Sequence, residues 1–439
     1  LPRKPSAFKA WAEHLQRYAS EPQRQQELAY WREQLQGVSD VLPCDRPDGS
    51  QAQRHGLSVS SRLDRELTRQ LLQDAPAAYR TQINDLLLTA LARVISRWTG
   101  RADTLVRLEG HGREDLFDDL DITRTVGWFT SMYPVKLTAA STPGEAIKTV
   151  KEQLRAVPDK GIGYGVLRHL GNDEARRALD GLATGSIVFN YLGQFDGSFD
   201  AQDALFVPAA ESAGDGQSPD APLGSLIGIN GQVYGRELAL GWSFSAEVFD
   251  KATIQRLADD YSAELALLVG HCLEQGVAGM TPSDFPLAGL DQAQLDAFPV
   301  PAAQVADIYP LSPMQQGMLF HSLSAQEAGN YINQMRIDVQ GLDVPRFQAA
   351  WQAASDRHDM LRASFHSGLG RPLQVIARQL EAACVELDVR DRADLAAFLD
   401  DWAAADRQRG FDLEQAPLLR ICLLYTSDAA DEEDREDLG

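Results

Sequence analysis

Apolar side chains recur at helical spacing in several parts of the chain, most regularly over residues 81–100. One face of this segment carries five large apolar side chains: Ile83, Leu87, Leu91, Val94 and Trp98. Such a stripe is typical of an amphipathic helix that packs on a core. Thr81 or Asn84 can cap the start of this helix, and Gly100 suits its end.

Two other patterns also predict helices. Aromatic residues and leucines at helical spacing over residues 5–36 indicate two helices, broken near Pro22. Further along, Thr142 and Glu145 have the spacing of a capping box, and Pro158 ends the helix that they begin.

Apolar and polar residues alternate from Leu105 to Glu109, which indicates a half-buried strand. Val106 and Leu108 fall on one face of this strand, and the other three residues fall on the opposite face. The predicted strand therefore ends in a carboxylate.

Turn residues predict how later strands connect. Asn230–Gly231 is a strong turn pair and predicts a hairpin at that point. The second strand of this hairpin has four apolar side chains on one face: Leu238, Leu240, Trp242 and Phe244. Residues 331–341 are predicted to form another strand.

Helices interspersed with strands predict an α/β chain of the two-layer α+β type. A chain of 439 residues is long enough for two or three domains. Residues 276–306 are rich in proline, glycine and alanine and only weakly periodic. We expect this segment to be a linker between a first unit and a second unit that begins at Asp307.

Charge and composition narrow the classes of function. A formal net charge of −22 argues against binding to nucleic acid or to an anionic membrane surface, and no apolar run approaches membrane-spanning length. The four cysteines are widely spaced, which predicts free thiols in a reducing cytoplasm. Neither they nor the eight isolated histidines have metal-ligand spacing, and we expect no metal.

Glu109 is followed directly by Gly110, His111 and Gly112. Glycines allow a sharp turn and let another group approach the backbone closely. Taken alone, this pattern favours a surface acid at a turn, although loops at strand ends also carry many functional sites.

Four blocks resemble, in the expected order, the signature blocks of epimerisation domains of nonribosomal peptide synthetases. They are EGHGRED (109–115), RTVGWFTSMYPVKL (124–137), PDKGIGYG (158–165) and FNYLGQFD (189–196). One block alone is a weak signal, but four in this order are specific. This resemblance covers Leu1 to about Glu274.

From Asp307 onward the chain resembles the beginning of a condensation domain of the same synthetases. The blocks are YPLSPMQQGMLFHSL (309–323), RHDMLRASF (357–365) and RGFDLEQAPLLR (409–420). Both domain types share a two-lobed fold like that of chloramphenicol acetyltransferase. The resemblance implies that residues 1–50 are the end of the epimerisation N-lobe and the crossover, that 51–275 are its C-lobe, and that 307–421 begin a second copy of the fold.

The resemblance gives Glu109 a chemical role. In the family, the glutamate of this block faces the tunnel between the lobes and acts as a general acid or base. The substrate is an aminoacyl or peptidyl thioester on the phosphopantetheine arm of a carrier domain, which would lie outside this chain. Its α-proton is weakly acidic, so inversion from L to D needs a positioned base and an acid on the opposite face.

Five other residues are candidates by the same resemblance. Asn190 and Tyr191 can hydrogen-bond a developing enolate or the substrate carbonyl, and can equally satisfy neighbouring backbone groups. Trp128, Phe129 and Ser131 can line the path of the phosphopantetheine arm, and can equally be ordinary packing residues.

Both domain types of the family depend on a His-His-x-x-x-Asp block, and the sequence contains no adjacent histidines. The resemblance thus implies that the 439-residue chain is inactive by itself. It implies carrier, adenylation and condensation domains of the same synthetase as partners. Two alternatives are a condensation-type acyltransferase, against which EGHGRE and FNYLGQFD speak, and a non-catalytic platform that docks carrier proteins.

Residues 422–439 depart from the resemblance. The sequence CLLYTSDAADE resembles the translation of a transposon-end adapter used in DNA sequencing libraries. The alternative is a genuine acidic, disordered tail. We expect a non-native tail.

Overall fold

The computed structural model describes residues 4–195, 214, 216–324, 331–368 and 370–426. The chain divides into two compact units, Leu1–Gly279 and Met280–Gly439, and each is described by itself. The division falls inside the segment 276–306 that the sequence predicts to be a linker.

The helices of the first unit are α1 Phe8–Tyr18, α2 Gln23–Leu35, α3 Arg65–Arg69, α4 Pro76–Tyr79, α5 Ile83–Thr99, α6 Pro143–Arg155, α7 Ile162–Leu170, α8 Asp173–Asp180 and α9 Lys251–Leu273. Its strands are β1 Gly56–Leu63, β2 Asp103–Gly110, β3 Ser131–Thr138, β4 Ile187–Gln194, β5 Ile227–Tyr234 and β6 Glu237–Ser245. They form one mixed sheet in the order β1-β6-β5-β4-β2-β3, in which β4 runs parallel to both β2 and β5.

One side of this sheet is covered by the main core. Helices α5 and α9 supply much of it, and Trp242 of β6 is fully buried there. The Trp242 ring meets the Tyr261 ring edge-on at 5.5 Å between centroids, and its Nε1 donates a hydrogen bond to Ser61 Oγ at 3.0 Å. The indole thus buries its apolar body while its polar atom is satisfied.

The other side of the sheet presents polar side chains. We call it the open face and define it by Ser60, Ser243, Gln232, Asn230, Asn190 and Glu109. All of these are exposed except Asn190, which is half-buried. Because successive strand residues point to opposite sides, the same strands that build the core also present this polar surface.

Most of the predicted elements of the first unit are present, with two local corrections. The start of α5 is capped by neither Thr81 nor Asn84. Gln82 is the N-cap, and it forms a reciprocal capping box with Asp85, whose carboxylate accepts from the Gln82 N–H at 2.7 Å. This glutamine plays the part usually taken by a shorter polar residue.

The predicted hairpin turn at Asn230–Gly231 is wrong. Both residues lie inside β5, where they pair with Asn190 and Tyr191 of β4. The chain turns at Gly235–Arg236, where both residues have positive φ (60° and 64°), as a two-residue turn matched to strand twist requires. The long-range pairing with β4 overrides the local turn preference.

The helices of the second unit are α10 Gln292–Asp296, α11 Pro313–Ser324, α12 Val344–Arg357 and α13 Leu395–Arg409. Its strands are β7 Val305–Pro310, β8 Ala363–His366, β9 Leu373–Ala377, β10 Cys384–Asp388 and β11 Ile421–Tyr425. They form a sheet in the order β7-β9-β8 and a separate parallel pair, β10-β11.

Three sequence predictions for the second unit differ from the structure. Residues 280–306 of the expected linker are packed, since Met280 and Phe285 are buried in one cluster with β7 and β9. The expected strand at 331–341 is absent, and its apolar side chains are largely exposed. Residues 422–425, placed in the suspected tail, belong to β11, while 427–439 lie outside the described residues.

Among the helices that the structure describes, none combines the length and the apolar character needed to cross a membrane.

Candidate active site

Glu109 lies at the end of β2, on the open face, and its side chain is exposed. On one side it pairs with Met132 of β3. On the other side, the parallel pairing of β2 with β4 reaches Leu108 and Phe189, one residue before Glu109 and Asn190. The register therefore brings these two polar side chains together at the same edge of the sheet.

Asn190 contacts the carboxylate directly. Its Nδ2 donates a hydrogen bond to Glu109 Oε2 at 3.2 Å. The sequence left two roles open for Asn190: a hydrogen bond to the substrate, or a hydrogen bond to neighbouring backbone groups. The contact with Glu109 is neither of these. The amide N–H instead serves the carboxylate, orients it and stabilises its negative charge.

The structure does not bring Tyr191 to Glu109. Tyr191 follows Asn190 in the same strand and points to the opposite side, where it packs against the main core. Burial raises the pKa of its hydroxyl. The prediction of a shared site for the two residues is corrected on this point.

Close packing explains why glycines, and not larger residues, follow Glu109. A Cβ on Gly112 would lie 1.6 Å from the carbonyl oxygen of Phe129, and the φ of Gly112 is +67°. A Cβ on Gly110 would lie 2.9 Å from Ser131 Oγ. Only glycine lets the loop after β2 lie against residues 129–131.

The three residues predicted to line the phosphopantetheine path lie in different environments. Trp128 is 83% exposed. Phe129 is buried in a small cluster with Trp11 and meets the Phe8 ring edge-on at 5.2 Å. Ser131 lies opposite Gly110, and its buried Oγ makes no hydrogen bond to any residue that the structure describes.

Sequence reasoning did not single out Glu114 or Lys160. Glu114 Oε2 lies 2.8 Å from Lys160 Nζ, and Glu114 Oε1 lies 3.2 Å from His111 Nε2. Tyr133, on the neighbouring strand β3, has its pKa raised to about 12 by burial and by the charge of Glu114. A signal was available in the sequence, because these opposite charges lie in two of the four blocks.

No three histidine, cysteine or acidic side chains within the described ranges are grouped so that they could hold a metal ion.

The sequence profile of the condensation domain family matches residues 1–285 and 305–432. The chain belongs to the condensation domain family. The second match extends to residue 432, past the point where the sequence predicts a non-native tail.

Curated relatives match nearly the whole chain. A linear gramicidin synthase polypeptide from Brevibacillus parabrevis is 43% identical over 440 residues, which cover 98% of this chain and 6% of that protein. A mycosubtilin synthase polypeptide from Bacillus subtilis is 38% identical over 437 residues, which cover 98% of this chain and 17% of that protein. The chain thus spans less than a fifth of the length of either relative.

A solved structure supports the fold. The epimerization domain from the third module of tyrocidine synthetase B is 37% identical, with a TM-score of 0.58, over 62% of this chain and 61% of that domain. The predicted mixed α/β fold of the condensation and epimerisation type is confirmed, and so is the resemblance to peptide synthetase segments.

Proposed function

We propose that the first unit is the part of an epimerisation domain that inverts the Cα of a carrier-bound aminoacyl or peptidyl thioester from L to D. The observation that supports this most strongly is the placement of Glu109. Its carboxylate stands exposed at a strand end on the open face, with the Asn190 amide as its hydrogen-bond partner.

In this proposal Glu109 exchanges a proton with the α-carbon. The Asn190 N–H holds the carboxylate in one orientation, so that the oxygen not bound by the amide can point to the substrate. A single side chain cannot serve both faces of a planar enolate. The partner on the opposite face is the histidine that the resemblance implies, from a block that this sequence does not contain.

A phosphopantetheine arm, when bound, would hold the substrate as a thioester, whose carbonyl makes the α-proton more acidic. Ser131 suits this arm, because its buried hydroxyl lacks a partner among the described residues and the arm offers amide groups. The exposed indole of Trp128 offers an apolar surface. Phe129 does not fit, since it would have to leave its cluster with Trp11.

We further propose that the second unit begins the condensation domain that takes the D-configured product as its donor. The carrier, adenylation and condensation domains of the same synthetase are then the partners of this chain. A cytoplasmic location, expected from the four cysteines, belongs to the same proposal.

For the test, the chain is joined to the N-terminal lobe of an epimerisation domain. We call this fusion protein the extended enzyme. It is given an L-aminoacyl carrier protein in deuterated water. We expect α-deuterium uptake and a mixture of D- and L-product, and no exchange by the 439-residue chain alone. New amide product without exchange would favour an acyltransferase, and carrier binding with neither reaction would favour a docking platform.

Asn190→Ala should lower kcat for α-deuterium exchange in the extended enzyme by about 10-fold, because a hydrogen bond to a charged group is lost. Asn230→Ala is the matched control. Asn230 lies directly across from Asn190 on the open face and is exposed. We expect its exchange rate to equal that of the wild type; equal losses in both variants would contradict the role of Asn190.

A further inference from the structure

The loop that follows Glu109 is tied to a second loop of the first unit. The carboxylate of Glu114 lies 2.8 Å from the ammonium group of Lys160 and 3.2 Å from the imidazole of His111. The side chain of Glu114 is only 10% exposed, whereas that of Lys160 is 74% exposed. A carboxylate with so little contact with water needs a cationic partner, because burial removes its hydration.

A left-handed turn places Lys160 in this position. Asp159, Lys160 and Gly161 have φ values of 42°, 50° and 83°. Two consecutive non-glycine residues in this region are strained, so the surrounding structure must hold them there. A Cβ on Gly161 would lie 2.1 Å from Cδ1 of Tyr133, so only glycine lets the turn lie against β3, the neighbour of β2.

A polar cluster from the N-terminal helical region holds the same turn from its other side. Asp159 Oδ2 accepts hydrogen bonds from the Tyr18 hydroxyl at 2.5 Å and from Arg24 Nη1 at 3.0 Å. Arg24 is buried, contacts Glu27, and stacks its guanidinium 3.9 Å from the centre of the Tyr18 ring. Glu27 in turn accepts a hydrogen bond from Trp31 Nε1 at 3.1 Å.

These contacts connect two of the signature blocks, EGHGRED (109–115) and PDKGIGYG (158–165). The cluster on α1 and α2 fixes Asp159, the turn fixes Lys160, and the ion pair carries this anchoring to Glu114. In the middle of the same loop, Gly112 lies close to the Phe129 carbonyl. The end of β2 that bears Glu109 is therefore anchored by contacts outside the sheet, in addition to its hydrogen bonds to the neighbouring strands.

We propose that Lys160 and Glu114 form a brace, and that both are positioning residues for the carboxylate of Glu109. The brace sets the distance between this carboxylate and the α-carbon, while neither member takes part in proton transfer. This inference rests on the proposed function. Proton transfer is sensitive to such positioning, since a displacement of about 1 Å can cost on the order of 100-fold in rate.

The test uses Lys160→Met, because Lys160 is largely exposed and its loss leaves the core unchanged. In the extended enzyme we expect kcat for α-deuterium exchange to fall by about 10-fold or more, with KM within about 2-fold of the wild-type value. Lys160→Arg keeps the charge and should restore most of kcat. Lys9→Met removes a lysine that is 84% exposed and pairs with Glu13 at 3.6 Å on α1, and it should change neither constant.

A second measurement does not depend on catalysis. Amide hydrogen exchange of residues 105–115 in the 439-residue chain should become roughly 5-fold faster in Lys160→Met, and stay as in the wild type in Lys160→Arg and Lys9→Met. Unchanged amide exchange in Lys160→Met would overturn the brace itself.

The two measurements separate the possible failures. Faster amide exchange with unchanged kcat, in an enzyme that Glu109→Gln inactivates, would overturn the positioning role and leave the proposed function intact. Full activity of Glu109→Gln would overturn the proposed function, and the positioning role with it.

Discussion

Glu109→Gln should lower α-deuterium exchange by the extended enzyme on the order of 10²- to 10⁴-fold, the usual contribution of a positioned acid or base. Glutamine keeps the size of the side chain and an oxygen that can accept from Asn190, so the fold and the local contact are retained. It has no carboxylate that can take up the α-proton. The measurement is deuterium uptake and the D/L ratio, followed over time.

The matched control for this loss is Glu237→Gln at the start of β6. Glu237 is a partly exposed carboxylate of the same sheet, paired with Arg65 at 3.7 Å. We expect wild-type exchange from this variant. Exchange that survives Glu109→Gln at the wild-type rate would remove Glu109 from the mechanism.

Trp242→Ala should destabilise the first unit by about 3–5 kcal/mol, the usual range for truncating a fully buried large aromatic side chain. The indole is 0% exposed and packs on Tyr261, so its removal leaves a cavity in the main core. The loss also leaves Ser61 Oγ without its hydrogen-bond donor. Urea unfolding followed by circular dichroism measures the difference in the free energy of unfolding.

Trp128→Ala provides the comparison, because the same chemical change is made at a side chain that is 83% exposed. We expect its free energy of unfolding to lie within about 0.5 kcal/mol of the wild type. Similar losses in both variants would mean that Trp242 does not pack as described.

The sequence predicts elements well where one local pattern decides them. The apolar stripe of α5 and the alternation in β2 each arise within a single segment, so their periodicity is sufficient to find them. The Asn230–Gly231 hairpin and the strand at 331–341 fail because strand pairing depends on segments far away in the chain. Asn230 and Gly231 pair with β4 rather than turning back.

In the candidate site, too, local patterns identify residues, while contacts between distant segments are visible only in the structure. Glu109 and Asn190 are found from their blocks, although only the register of β2 against β4 reveals that they touch. Tyr191 could have been set aside from sequence, because consecutive strand residues cannot both reach one side of a sheet. The opposite charges of Glu114 and Lys160 are visible in their blocks, but their contact is not, since it depends on two consecutive residues with positive φ.

The contact between Glu109 and Asn190 joins residues that are 81 positions apart, across a parallel pair of strands. Closing so long a stretch costs chain entropy before any contact compensates for it, and parallel pairing is slow to form for that reason. During synthesis the carboxylate has no amide partner until β4 has left the ribosome and docked beside β2. The contact that orients the Glu109 carboxylate therefore forms only after the polypeptide between the two strands has been made and has folded back.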